Sequence, residues 1–338
     1  MRFLLLPFSW IYAFVIVCRN ALYNHGLYQT HQVRKSIGIG NLSMGGTGKT
    51  PLTVYLSNWL IQNKKNVFIL SRGYKRTTAG EIEVQLHHQS HEVGDEPLMY
   101  KRRMKDNIRV LVAKNRWTGS QKARLYDQES FLLFDDIFQH RIVEVDFSIV
   151  TTPYNDLFVD DHILPVGRLR EPKSNIKRAH CIMITRCPDG MAISKRQEIE
   201  NKLDSFKKPV FFSSIKYDEF ISLGTKIEEI KKILLVTGIA DNRAIRAHLE
   251  RSYELEVISY TDHYQFTQKD IEEIHQKFGN FADNNSIILT TEKDGVRMLK
   301  FDQFIKAHKW PLYVQPISIE VESEKEFKSL IENYVGEV

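Results

Sequence analysis

Short apolar runs rich in β-branched residues alternate, over most of this chain, with segments whose apolar positions fall three and four residues apart. The runs at residues 36–40, 67–70, 82–86, 108–112, 130–134, 146–150, 181–185 and 210–213 read as strands, and 117–126 and 193–203 are among the helical patterns between them. That alternation predicts an α/β fold with a doubly wound, mostly parallel sheet. A polar connector without periodicity, residues 216–222, marks a boundary, and the pattern then restarts. Strands are expected at 233–237, 257–260, 287–290 and 312–317. Asp241 is placed to cap a helix over 241–251, Thr267-x-x-Asp270 forms a capping box, and Ser323-x-x-Glu326 opens a last helix. The chain therefore divides into an N-terminal helix (1–20), a larger α/β unit (21–215) and a smaller α/β unit (216–338).

The N-terminus breaks the globular pattern. Residues 3–18 are almost wholly apolar, bracketed by Arg2 and Arg19, with Trp10 and Tyr12 as interface-seeking side chains. The run is shorter than the ~20 residues of a full helical span. A secretory signal, a buried core helix and an uncleaved helix lying in a membrane surface all share this composition. No small-x-small cleavage site follows it. The interfacial helix is the favoured reading.

The strand at 36–40 runs into Gly40-Asn41-Leu42-Ser43-Met44-Gly45-Gly46-Thr47-Gly48-Lys49-Thr50, and Leu52, Leu56, Trp59 and Leu60 then fall at helical spacing. Strand, glycine loop and helix in that order make a phosphate cradle. Backbone N–H groups turn toward an anion, Lys49 adds a point charge, and the Thr50 hydroxyl can hold Mg²⁺. Ser43 stands where the full pattern has glycine. The expected ligand is a nucleoside triphosphate.

A second metal-holding acid is needed at a strand end, and Phe131-Leu132-Leu133-Phe134-Asp135-Asp136 supplies two carboxylates. Adjacent strand residues point to opposite faces, so the two are not equivalent, and the division of metal duty stays open. His140 follows closely. In Gly94-Asp95-Glu96-Pro97, Asp95 reads from spacing as a helix cap and functionally as a general base for an attacking hydroxyl. Arg72, at the end of the strand beginning near Val67, is placed to touch phosphate or to pair with an acid. His263 ends a strand as a cleft residue or a surface one. Thr291-Glu292-Lys293-Asp294 does not match a guanine-reading motif, because its Lys is displaced by one position, and His87, His88 and His91 have poor spacing for zinc.

Composition adds bounds. The 338 residues, 42% hydrophobic and 26% charged, are ordinary for a globular protein. A net charge of +5 suits an anionic surface or phosphorylated substrate and does not point to nucleic acid. Cys18, Cys181 and Cys187 show neither metal spacing nor a disulfide framework, which favours a reducing compartment.

Together these residues resemble the tetraacyldisaccharide 4′-kinases, or lipid A 4′-kinases, of Gram-negative bacteria. The resemblance rests on the glycine loop through Pro51, then Ser71-Arg72-Gly73-Tyr74, Gly94-Asp95-Glu96-Pro97 and Asp135-Asp136-x-Phe138-Gln139-His140. It continues in Leu164-Pro165-x-Gly167-x-Leu169-Arg170-Glu171, Gly238-Ile239-Ala240, Asp262-His263-Tyr264 and Thr291-Glu292-Lys293-Asp294. It implies a P-loop NTPase-like kinase that moves the γ-phosphate of ATP to the 4′-hydroxyl of a tetraacyldisaccharide 1-phosphate lipid A precursor. By the same resemblance Ser43, Met44, Gly45, Gly46, Thr47, Gly48, Lys49 and Thr50 bind nucleotide, and Thr50, Asp135 and Asp136 hold Mg²⁺. Asp95 is the catalytic acid–base residue and His263 its partner, brought together from separate units when ligands close the cleft. Arg72, His140 and Glu171 are weaker candidates for phosphate and sugar contacts. The implied setting is the cytoplasmic face of the inner membrane, peripheral or monotopic, with the glycolipid and membrane surface as partners and no obligate protein partner. One departure stands out: the family has Gly after the paired aspartates, and this chain has Ile137, which puts the local turn in question. The rival reading is a membrane-associated P-loop ATPase that drives assembly or positioning without a small-molecule product.

Overall fold

A computed structural model describes residues 2–338, with side chains from Leu4 onward, so Arg2 as a bracketing charge lies outside the described side chains. The helices in chain order are α1 (Leu6–Asn24), α2 (Lys49–Gln62), α3 (Ser90–Val93), α4 (Asp95–Met104), α5 (Arg116–Tyr126), α6 (Ile193–Leu203), α7 (Arg243–Leu249), α8 (Gln268–Phe281), α9 (Glu292–Met298), α10 (Asp302–Ala307) and α11 (Glu324–Val335). The strands begin with β1 (His31–Gly40), β2 (Val67–Ser71), β3 (Ile82–Glu83), β4 (Arg109–Val112), β5 (Phe131–Asp135), β6 (Val143–Pro153), β7 (Cys181–Cys187) and β8 (Val210–Tyr217). They continue with β9 (Ile221–Ser222), β10 (Lys232–Thr237), β11 (Glu254–Ser259), β12 (Ser286–Thr291), β13 (Leu312–Gln315) and β14 (Ile317–Val321).

Among the described residues these strands form two sheets, ordered β14-β8-β7-β6-β1-β5-β2-β4-β3 and β11-β10-β12-β13-β9. Both are parallel except for edge strands: β14 and β3 in the first, β9 in the second. β5 is buried along its whole length, as a central parallel strand covered on both faces must be. Its register against β1 sets Ile39 beside Asp135, so the glycine loop and the paired aspartates leave the same sheet edge side by side. That edge lies at the carboxyl ends of the strands, between β5 and β6, where the winding direction reverses.

Two expectations change. The strand expected at 82–86 shrinks to Ile82–Glu83, because the next residues turn, with the Gln85 N–H donating to His88 Nδ1. The run expected as one strand over 312–317 is two. Pro316 separates β13 in the second sheet from β14, which pairs antiparallel with β8 in the first. Proline has no N–H for a ladder and marks the switch. α11 follows β14 and buries Phe327, Ile331 and Val335 in the first core, among Ile37, Phe147 and Phe211. The C-terminal segment expected within the 216–338 unit therefore completes the first unit.

α1 is docked in reverse. Ser9 and Asn20 are its buried residues, at 2% and 4% exposure, whereas Phe8, Trp10, Ile11, Phe14, Val15 and Val17 face outward. Its polar stripe is bonded to the protein. Ser9 Oγ donates to Ile163 O and accepts from Val166 N, both at 3.2 Å, and Tyr12 OH donates to Arg170 O at 3.0 Å. The reading of this segment as a buried core helix is overturned. α1 is long and apolar enough to cross a membrane by length and composition.

Candidate active site

The glycine loop is braced from beneath. Asn41 Nδ2 donates to Thr47 Oγ1 at 2.9 Å, Thr47 Oγ1 lies 2.8 Å from Thr151 Oγ1, and Thr185 Oγ1 donates to Thr47 O at 3.0 Å. Ser43 is buried and bridges to Leu169, while the Met44 N–H donates to Arg168 O. The Thr47 side chain and the Ser43 backbone bridge thus hold the loop in shape, and Met44, Gly45 and Gly46 form its open rim. Gly48 has φ +82°, and a Cβ there would lie 2.9 Å from Thr185, so the turn into α2 admits only glycine.

Lys49 opens α2 with its Nζ 3.4 Å from Asp136 Oδ1. Arg170 Nη1 donates to Asp136 Oδ2 at 3.0 Å. Burial would raise the Asp136 carboxyl, but Lys49 and Arg170 outweigh it and hold it down to about 2. Asp135 is the opposite case. It is 1% exposed, and neither carboxylate oxygen has a hydrogen-bond partner among the described residues. Burial first, then the nearby charges of Glu96 and Asp136, push it up to about 7. Beneath this turn the fully buried Arg116 donates from Nη2 to Asp135 O at 3.2 Å.

Ile137 does not carry the turn's unusual backbone; Asp136 does, with φ +51°. Ile137 is buried in the core beside Val33, Phe134 and Val143, over the space left by Gly38, where a Cβ would lie 2.7 Å from its Cγ2. The substitution for glycine is accommodated by packing.

The helix cap at α4 is Gly94, with φ +95°, and Asp95 is the first helical residue. The capping role for Asp95 is overturned: its Oδ2 accepts from Arg297 Nε at 2.8 Å and lies 2.7 Å from Arg297 Nη2. His263 Nδ1 stands 3.5 Å from the same oxygen. The expectation that ligands must bring this pair into reach is corrected, since the two units already hold it together. Burial would raise the Asp95 carboxyl, but the hydrogen bond and charge of the Arg297 guanidinium keep it below the ordinary range. Next along α4, Glu96 Oε1 accepts from Thr50 Oγ1 at 3.4 Å and pairs with Lys293 Nζ. Lys293 pulls the Glu96 carboxyl down against the effect of burial.

The remaining candidates separate. Arg72 is exposed at the end of β2. His140 is pushed down to about 4 by burial and then by Arg116 and Arg72, so its ring is neutral. With Gln139, Arg19, Lys114 and Arg141 it lines a cavity of about 490 Å³ beside α1. Glu171 is tied into the fold through Oε2, and its Oε1 has no hydrogen-bond partner among the described residues. It is fully buried and accepts from Arg178 Nη2 at 2.5 Å, Asn175 Nδ2 at 2.7 Å and Asn20 Nδ2 at 3.1 Å, which roots α1. Sequence reasoning missed Arg170, Glu96, Lys293 and Arg297 as site groups. The signal for the last two was their spacing of four, which sets them on one face of α9.

The whole chain has known relatives. A family model described as tetraacyldisaccharide-1-P 4'-kinase matches residues 1–336. A tetraacyldisaccharide 4'-kinase from Flavobacterium psychrophilum is 39% identical over 99% of this chain and 97% of its own length. One from Bacteroides fragilis is 33% identical over 98% and 93%. The crystal structure of LpxK from Aquifex aeolicus in complex with ATP superposes with a TM-score of 0.74 at 26% identity, covering 99% of both chains. With a full-length family match and a glycine loop, paired aspartates and Asp95 gathered at one sheet edge, this chain belongs to the tetraacyldisaccharide-1-P 4'-kinase family, phosphotransferases with a hydroxyl acceptor.

Proposed function

We propose that this chain transfers the γ-phosphoryl group of ATP to the 4′-hydroxyl of a tetraacyldisaccharide 1-phosphate, a step of lipid A synthesis. The observation that carries the residue-level reading is the Thr50–Glu96 contact. It brings the start of α4, and with it Asp95, to the helix end that Lys49 opens. A phosphate acceptor held by Asp95 therefore lies next to a phosphate donor held by the loop.

In this reading the loop N–H groups and Lys49 hold the β- and γ-phosphates. The unpartnered, buried oxygens of Asp135 fit a cation, which would replace the hydrogen bonds they lack. Among the described residues no three His, Cys, Asp or Glu side chains gather as a metal cage. This suits Mg²⁺ bound chiefly through phosphates and water, with Thr50, Asp135 and Asp136 as its protein ligands. The ion would neutralise charge developing on the phosphoryl oxygens. The sugar 4′-oxygen forms a bond to the γ-phosphorus as the bond to the β-bridging oxygen breaks, ADP leaves, and the hydroxyl proton passes to Asp95. A carboxylate held below a pKa of ~3.9 is a weak base, so the proton moves late and positioning contributes most. Arg72 and His140 serve as acceptor contacts. The outward apolar face of α1 enters the cytoplasmic leaflet of the inner membrane, where ATP is at hand and the acyl chains of the acceptor stay in lipid.

The test is purified protein with ATP, Mg²⁺ and tetraacyldisaccharide 1-phosphate in detergent. A lipid product heavier by one phosphoryl group, lost in Lys49→Ala, supports the reading. ATP hydrolysis with unchanged lipid refutes it in favour of an ATPase.

A further inference from the structure

We infer that Arg297 is the positioning residue of this site: its guanidinium aims the Asp95 carboxylate across the two units and fixes the tautomer of His263. The inference rests on the reading of Asp95 as the proton acceptor. Arg297 is 1% exposed and sits on α9 of the second unit, facing the start of α4 on the first. Its Nη1 donates to Asp294 Oδ1 at 2.6 Å and approaches Gly238 O at 3.4 Å. Its Nε and Nη2 converge on Asp95 Oδ2, and Nη2 also lies 3.2 Å from His263 Nδ1.

Asp294 anchors this arrangement. It is fully buried, and its Oδ2 accepts from the Gly238 N–H at 2.9 Å and from Thr291 Oγ1 at 2.8 Å. A buried guanidinium is tolerated only when paired, and Asp294 pairs it within the same helix. The other edge of the fork is thereby held rigidly toward Asp95. Because both donors go to Oδ2, and no hydrogen bond among the described residues reaches Oδ1, Oδ1 is the oxygen presented to an acceptor hydroxyl.

The same guanidinium decides the state of His263. Arginine only donates, so the ring nitrogen facing it must accept. Nδ1 therefore carries a lone pair, and the ring's N–H sits on Nε2. The 3.5 Å approach of Nδ1 to Asp95 Oδ2 is then a contact without a shared proton, and the imidazole is coupled to the carboxylate through Arg297. His263 is held for this by its own left-handed backbone, φ +57°, with its N–H donating to Gly238 O, the carbonyl that Arg297 also approaches. The charged or titratable groups around Asp95 are Arg297 and Asp294 behind it from α9, His263 from the loop after β11, and Glu96 on α4 with its partner Lys293. Tyr74 packs against the far side of His263, ring centroids 6.0 Å apart.

The experiment compares Arg297→Lys, Arg297→Ala and Asp95→Asn in the full chain, with kcat, KM for both substrates and the pH profile of kcat. Lysine keeps the charge but has no fork to hold Asp95, Asp294 and His263 together. The expected result for Arg297→Lys is a kcat lower by about 10- to 100-fold with both KM values within about twofold. The acid limb of its kcat profile should move up by about one pH unit as Asp95 loses the paired Nε and Nη2 contacts that stabilise its carboxylate. Methylguanidinium should recover part of the kcat of Arg297→Ala, and Arg297→Lys should add little further loss on top of Asp95→Asn. Wild-type kcat and an unmoved acid limb in Arg297→Lys, with Asp95→Asn inactive, overturn the positioning role alone. A loss of activity that tracks only lower thermal stability, with no shift in the limb and no recovery by methylguanidinium, overturns it too. Full activity in Asp95→Asn overturns the reading beneath it.

Discussion

Asp135 and Asp136 are neighbours in the chain, yet one carboxylate is dry and unpartnered while the other lies between Lys49 and Arg170. An unpaired buried carboxylate costs folding free energy, and a paired one loses its partner's compensation when removed. Asp135→Asn should therefore leave the nucleotide-free protein melting no lower than wild type while cutting turnover at least ~100-fold, as loss of a charge-stabilising group does. Asp136→Asn should lower stability by about 1–3 kcal/mol in urea unfolding, because Lys49 and Arg170 are left facing a neutral amide. Ile137 makes a second residue-scale case. As Asp136 already holds the positive φ, Ile137 acts through packing over Gly38. Ile137→Ala should cost about 2–4 kcal/mol and leave kcat near wild type at temperatures where the variant is folded. The sequence displayed the two acids and the glycine missing after them. It could not show their unlike surroundings, because Arg170 is 34 residues away and arrives through the bridge of Leu169 to the glycine loop.

α1 inverts the usual amphipathic rule, with polar Ser9, Tyr12 and Asn20 bonded inward and the large apolar side chains outward. Two separable effects follow. Trp10→Glu with Phe14→Glu changes the outward face only, so vesicle flotation should fall while the melting temperature stays within about one or two degrees. Asn20→Leu removes a donor from the buried Glu171, and should lower stability by about 1–3 kcal/mol without first weakening lipid binding. Composition revealed the apolar run, but not which side of it meets the protein, since that depends on carbonyls near residues 163 and 170. α11 shows the converse limit. Its helical period was legible, but its host sheet was not, and the expected cap fails: Ser323 stands at the helix start with φ +52° and its side chain makes no capping hydrogen bond.

At the scale of the molecule, the chain leaves the first sheet after β8 and comes back through β14, and the two crossings are tied together. Gln315 Nε2 donates to Asp218 O at 2.7 Å, and Arg103 of α4 reaches Asp218, Glu292 and the Ile317 carbonyl. The first unit is thus built from both ends of the sequence. A fragment ending at residue 215 lacks β14 and α11 and should aggregate with its core face open, whereas residues 21–217 joined by a short linker to 317–338 should give a cooperative unfolding transition by circular dichroism. By itself the sequence determined the features that live within one stretch of chain: the anion cradle, the strand that delivers two acids, the capping box of Thr267 and Asp270 and the apolar N-terminus. Their signals are periodicity, turn chemistry and spacing, and these are local. Only the tertiary structure decided what those stretches meet. Asp95 and Arg297 are 202 positions apart, and so far along a chain no pattern carries information about proximity; packing of the two units brings the guanidinium to the carboxylate.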